Sequence, residues 1–97
     1  MTLKGFQRRF LRQRAHSLRA LVHVGEAGLS NGVFAALDEA LLNHELVKVR
    51  LHEPEDKKAS ARELARRSGS ELAGLVGHTV ILYRRHPDEP RIELPER

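Results

Sequence analysis

Residues 20–52 read ALVHVGEAGLSNGVFAALDEALLNHELVKVRLH, and the fold is decided here. Ala20 to Val24 is a short apolar run rich in β-branched residues, the composition of a buried strand. Gly25-Glu26-Ala27-Gly28 interrupts it. Ser30 then stands where a helix N-cap belongs, because its hydroxyl can accept from an amide of the first turn. Val33, Phe34, Leu37, Ala40 and Leu41 recur every three or four residues, which predicts a helix with one apolar face. From His44 to His52 the period drops to two. Val47, Val49 and Leu51 alternate with Lys48, Arg50 and His52, so this strand has a buried face and a basic outer face. A strand, a helix and a strand in one sheet connect right-handedly and run parallel.

The same pattern continues outward in both directions. Before Ala20, Leu3, Phe6, Phe10 and Leu11 mark a helical stripe that Leu18 would close. Lys4, Arg8 and Arg12 step by four along a different face, so the wet side of this helix is cationic, and substitutions at Arg8 and Arg12 should leave the fold intact. After His52, Glu53-Pro54-Glu55-Asp56 is a loop, and Asp56 caps a third helix carrying Ala61, Leu64 and Ala65. Gly69 stops it as a left-handed C-cap. Leu72 to Val76 and Thr79 to Arg84 are two strands joined by a Gly77-His78 hairpin. Residues 87–97 contain Pro87, Pro90 and Pro95 and form an extended tail of the domain spanning 1–86. The expected fold is α/β, in the order α-β-α-β-α-β-β. Its four-stranded mixed sheet has three parallel strands, an antiparallel fourth, and helices on at least one face.

Composition limits the function classes. Ninety-seven residues at 11.0 kDa, 40 % hydrophobic and 31 % charged, build one small core. There is no cysteine, hence no disulfide, thiolate metal site or cysteine nucleophile. No apolar run approaches the roughly 20 residues of a membrane span. The start, MTLKGFQRRF, lacks the apolar stretch of a secretory signal, so a cytoplasmic protein is expected. Charge is unevenly placed: six basic residues and no acid precede Gly25, leaving eleven basic against thirteen acidic in the remainder. No acid relieves the repulsion along that first segment, which points to a polyanionic partner.

The four-residue loop from Gly25 to Gly28 lies between a strand and a helix. Two glycines there let a backbone approach closely, and the following helix presents free N–H groups to a phosphate. The spacing is too short for a dinucleotide fingerprint, and no lysine–serine/threonine pair follows as in a nucleotide-triphosphate loop. A Gly-x-x-Gly loop on a nucleic-acid backbone fits better. A tight turn that simply needs a positive φ accounts for the same residues. The six histidines include no His-x-x-x-His pair on a predicted helix, and Ser30 serves as a cap, so neither a metal nor catalysis is expected. Tyr83 is the only tyrosine, tryptophan is absent, and Phe6, Phe10 and Phe34 fall on apolar stripes, so aromatic stacking on bases is scarce and readout would rest on charge, backbone amides and shape.

Ala15-His16-Ser17-Leu18, VGEAGLSNGV, HELVKVRL, GHTVILYR and the ending Ile92-Glu93-Leu94-Pro95 together resemble the CRM domain, closely in its stand-alone bacterial form, the YhbY-like ribosome-associated proteins. The resemblance covers nearly the whole chain in order. It implies a fold similar to the C-terminal domain of translation initiation factor three, RNA binding, and association with precursors of the large ribosomal subunit. Residue by residue, the family's loop falls on Gly25 and Gly28, its basic strand on Lys48 and Arg50, and its Leu-Tyr-Arg ending on Leu82, Tyr83 and Arg84. Two positions depart from the pattern. Glu26 and Ala27 replace the polar or basic centre of the loop, and His78 stands where lysine often follows the hairpin glycine. The resulting expectation is a non-enzymatic binder of structured ribosomal RNA, without cofactor, small-molecule substrate or membrane partner. Its contacts would come from Lys4, Arg8 and Arg12, the loop Gly25, Glu26, Ala27 and Gly28, and Lys48, Arg50 and Arg84. The alternative is an adaptor whose basic first helix meets an acidic protein surface.

Overall fold

The computed structural model describes residues 2–96. Seven elements follow in the expected order: α1 (Gly5–Ala15), β1 (Ala20–Val24), α2 (Asn31–His44), β2 (Leu46–Leu51), α3 (Lys57–Ser68), β3 (Glu71–Val76) and β4 (Thr79–Tyr83). The local signals act as read. Ser30 Oγ accepts from the Val33 amide at 3.3 Å and Asp56 Oδ1 from the Ala59 amide at 3.1 Å. Gly69, at φ +66°, ends α3 in the left-handed conformation, and Gly77 turns the last hairpin at φ +59°.

The sheet order is β1-β2-β4-β3. β1 and β2 pair in parallel, while β4 is antiparallel to both its neighbours. Three strands therefore run one way and the fourth against them, as the crossover and the hairpin require. β4 takes the inner position because its TVILY run is apolar on both faces. Val80 and Leu82 point toward α2 and α3, Ile81 and Tyr83 toward α1. β3, with Glu71, Gly74 and the exposed Val76, is left at the edge.

Helices cover both faces. Between the sheet and α2/α3 lies the larger core, including Val22, Val24, Leu37, Leu41, Val47, Val49, Leu51, Leu64, Val80 and Leu82. At about 2 kcal/mol per fully buried aliphatic side chain, this layer supplies most of the stabilisation. On the other face, Leu11 and Ala15 of α1 join Leu3, Leu46, Ala73, Ile81 and Tyr83, with Ile92 and Leu94 of the C-terminal segment packed alongside.

Four details depart from the sequence reading. Leu3 precedes α1 yet is buried. Leu18 is 42 % exposed and does not close the stripe; Ala15 does. His44 ends α2, and β2 begins only at Leu46. Between them Glu45, at φ +62°, turns the chain and puts its carboxylate inside the protein, where it is 2 % exposed. That carboxylate accepts from the backbone N–H of His86 at 2.8 Å and of Arg91 and Ile92 at 2.9 Å. A single side chain thus anchors three backbone amides of the segment after β4.

The fourth departure is that Arg8 and Arg12 are not on a free face. Arg8 Nη1 donates to Leu3 O at 2.6 Å, and Arg12 Nη1 donates to Ala73 O at 3.0 Å. The Arg12 stem crosses β3 directly over Gly74, where a Cβ would stand 2.5 Å from Cδ and 2.9 Å from Cγ of Arg12. Glycine inside a strand here marks a close approach. Gly74→Ala is therefore expected to lower stability by about 1–2 kcal/mol, and most of that loss should vanish in an Arg12→Ala background. Equal losses in both backgrounds, in a double-mutant cycle by chemical denaturation, would show no coupling.

Candidate nucleic-acid interface

α1 lies mainly across β3, β4 and the start of β2. Its side of the sheet is left open over β1 and the C-terminal half of β2. Alternation along ALVHV turns Val22 and Val24 to the large core and His23 outward, while Leu21, beside an irregularity in the ladder, is 51 % exposed. Along β2, Lys48, Arg50 and His52 point to this same side. Ala20 pairs with Lys48, and His23 with Arg50.

The two β2 cations differ. Lys48 Nζ donates to Leu18 O at 3.0 Å and to His16 O at 3.4 Å, satisfying carbonyls left over where α1 ends. Arg50 is exposed, and its guanidinium has no hydrogen bond or ion pair among the described residues. The histidine rings on either side of it stack on each other, with centroids 5.7 Å apart and planes at 28°.

The glycine loop follows at the end of β1. The Gly28 amide donates to Gly25 O at 3.0 Å, closing a tight turn, and Ser30 N donates to Gly28 O at 2.9 Å. The two glycines have different reasons to be glycine. Gly28 sits at φ +71°, a conformation any side chain strains. Gly25 is not in that region, and a Cβ built there meets nothing within 4 Å. The turn requires Gly28; nothing in the fold requires glycine at 25, and the backbone there is open to close approach. His52 N donates to Val24 O and Leu51 N to His78 O, so the loop, the end of β2 and the hairpin form one rim. Glu53 and Glu55 share a depression with Gly25, Glu26 and Gly28. With Glu26 they make one flank of the loop acidic, so the attraction for an anion comes from the Arg50 side.

In the basic first segment, Arg9, Arg14 and Arg19 are the exposed arginines without a partner among the described residues. Arg14 and Arg19 border a cleft of about 360 Å³ with Leu18, Leu21 and Arg91, along the free edge of β1. Lys4 is exposed at the N-cap of α1. Arg84 lies at the opposite end of the sheet from the loop. Its guanidinium donates to Ser68 O and Asp38 O and pairs with the Asp38 carboxylate at 2.9 Å. The structure thus gathers Gly25, Glu26, Ala27, Gly28, Lys48 and Arg50, ties Arg8 and Arg12 into packing, and leaves Arg84 apart. Arg14, Arg19, His23 and His52 also stand exposed on or beside this surface. The sequence marks Arg14 and Arg19 only as part of the basic first segment and His52 only as part of the basic strand face, and it predicts none of the four as a contact residue. The period of two in HELVKVRLH carried the signal for His52, and the placing of His23 between Val22 and Val24 carried it for His23. Among the described residues no cluster of histidine and carboxylate side chains could hold a metal ion, and no helix is long and apolar enough to cross a membrane.

Comparison with known proteins agrees with this architecture. The solution structure of a Staphylococcus aureus protein, described as a candidate RNA binder, superposes with a TM-score of 0.84 at 33 % identity, covering 97 % of this chain and all of that one. The "Probable RNA-binding protein YqeI" of Bacillus subtilis is 38 % identical over 95 residues, 96 % of this chain and 99 % of the relative. An "RNA-binding protein" of Haemophilus influenzae is 35 % identical over 98 residues, 99 % of this chain and 98 % of the relative. Residues 3–84 match the model of the CRS1/YhbY (CRM) domain. With the sheet, the glycine turn and the basic strand in place, this chain belongs to the CRS1/YhbY (CRM) domain family.

Proposed function

We propose that the protein is a non-enzymatic RNA-binding protein that docks on structured RNA through the open half of its sheet and the adjoining glycine turn. One observation carries the reading: the unpartnered Arg50 sits on the uncovered strands beside Gly25, a loop glycine whose position is open to close approach and whose backbone does not need glycine. Arg14 and Arg19 extend the positive surface along β1, and the names of the relatives support an RNA partner. The family resemblance extends the reading to ribosomal RNA of large-subunit precursors, met in the cytoplasm during assembly. The adaptor alternative is weaker, because two of the cations on its helix are tied into intramolecular bonds.

Neutralising about four to six phosphates sets a log–log salt slope of affinity between roughly −3 and −5. Titration of a structured RNA across ionic strengths checks it, and a slope near zero contradicts the electrostatic docking. Crosslinking in cells followed by sequencing should recover large-subunit precursor RNA; a spread over messenger RNA would contradict the ribosomal assignment.

A further inference from the structure

We propose that His23 and His52 form a stacking platform for one unpaired base of the bound RNA, a deepening that rests on the RNA-binding reading above. The two rings lie on adjacent strands, both residues exposed, stacked at 5.7 Å on the uncovered part of the sheet. Neither side chain hydrogen-bonds to any described residue, and neither belongs to a core cluster. Their pairing therefore serves no visible structural purpose. An open sheet that carries aromatic rings beside a cation is how protein surfaces hold splayed-out bases, with the rings under the base and the cation on the flanking phosphate.

The neighbourhood supplies the remaining parts. Arg50 is the Cα partner of His23 and lies two residues before His52 on the same side of β2, so its guanidinium reaches a phosphate next to the stacked nucleotide. Gly25 follows Val24, whose carbonyl accepts from the His52 amide, and gives the backbone of that nucleotide a side-chain-free approach. Imidazole is a smaller ring than indole or phenol, but the stacked pair holds its rings in place and leaves an outer ring face for a base. The preferred ligand is then a duplex interrupted by an unpaired base, not an unbroken duplex.

Two hairpin RNAs of equal length and charge test this, one fully paired and one carrying a single bulged 2-aminopurine. The wild-type protein is expected to bind the bulged RNA about tenfold more tightly, within the range measured for one base on an aromatic side chain, and to change the fluorescence of the probe. His23→Ala with His52→Ala should abolish the fluorescence change and the preference, bringing the bulged and paired hairpins to the same affinity, while the salt slope, which the cations set, is kept. His23→Phe with His52→Phe should restore both and shows that the effect follows the rings and not misfolding. Equal wild-type affinities for the two hairpins, or a preference that survives the double alanine change, would overturn the platform while leaving RNA binding itself intact. Failure to bind either hairpin would overturn the RNA-binding reading together with it.

Discussion

Glu45→Gln is expected to destabilise the domain by about 3 kcal/mol and to free the segment after β4. The carboxylate accepts from three backbone N–H groups at 2.8–2.9 Å in a site shielded from water. Hydrogen bonds to a charged group contribute about 1.5–3 kcal/mol each, and an amide would also turn a donor toward an N–H donor. Glutamine keeps the Cβ, so the strain of the positive φ is the same in both proteins and cancels. For a domain of this size the melting temperature should fall by more than about 10 °C, and amide exchange at Arg91 and Ile92 should accelerate most. Burial pushes the Glu45 carboxyl pKa up, but the three amides and the nearby His86 more than offset it, holding the group below its ordinary value. The unfolded chain thus binds the proton more readily than the folded one. The stabilisation is complete above the ordinary glutamate pKa of about 4.3 and is lost as pH falls through the lower folded value. Wild type and variant should converge in stability on acidification; a constant gap down to pH 2 would contradict the assignment.

Gly25→Asp is expected to weaken binding of structured RNA tenfold or more without loss of fold. The added side chain enters open space at a residue whose backbone needs no glycine, so stability should stay within about 0.5 kcal/mol. It places bulk and negative charge where a phosphate backbone would approach. Gly28→Ala provides the contrast: at φ +71° the alanine is strained, and a loss of about 1 kcal/mol in stability is expected. Melting curves beside binding titrations separate the two effects. A folded Gly25→Asp protein with wild-type affinity would remove the loop from the binding surface.

The parts of the fold that were legible in sequence depend on neighbours a few residues away. Ser30, Asp56 and Gly69 act on their own helices, and Gly77-His78 on its own hairpin, so caps and turns can be read from the chain in order. The strand order was hidden because the crossover from β2 to β3 leaves a gap that only β4, formed later, fills. TVILY carried the hint, since a strand apolar on both faces belongs inside a sheet. The roles of Arg12 and Glu45 could not be read, because their partners lie 61 and up to 47 residues away. Lysine and arginine spacing gave the sign of the surface charge correctly but not its availability. Lys48, Arg50 and Arg84 look alike in sequence, and only the surrounding carbonyls and Asp38 distinguish the free guanidinium of Arg50 from the engaged one of Arg84.

The layer formed by α1 joins both ends of the described chain: Leu3 and Leu11 pack with Ile92 and Leu94, and Gln7 Nε2 donates to Pro95 O. During synthesis α1 precedes its partners β3 and β4 by some sixty residues, and its closing contacts come later still. An amphipathic helix this short is marginal by itself in water. Closing so long a loop also makes this layer slow to form relative to the β1-α2-β2 unit. Until β4 has paired, the nascent chain is therefore expected to carry this cationic segment without its packing partners. The interval between emergence and docking of α1 is set by translation rate, and slowing elongation over residues 71–95 should lengthen it.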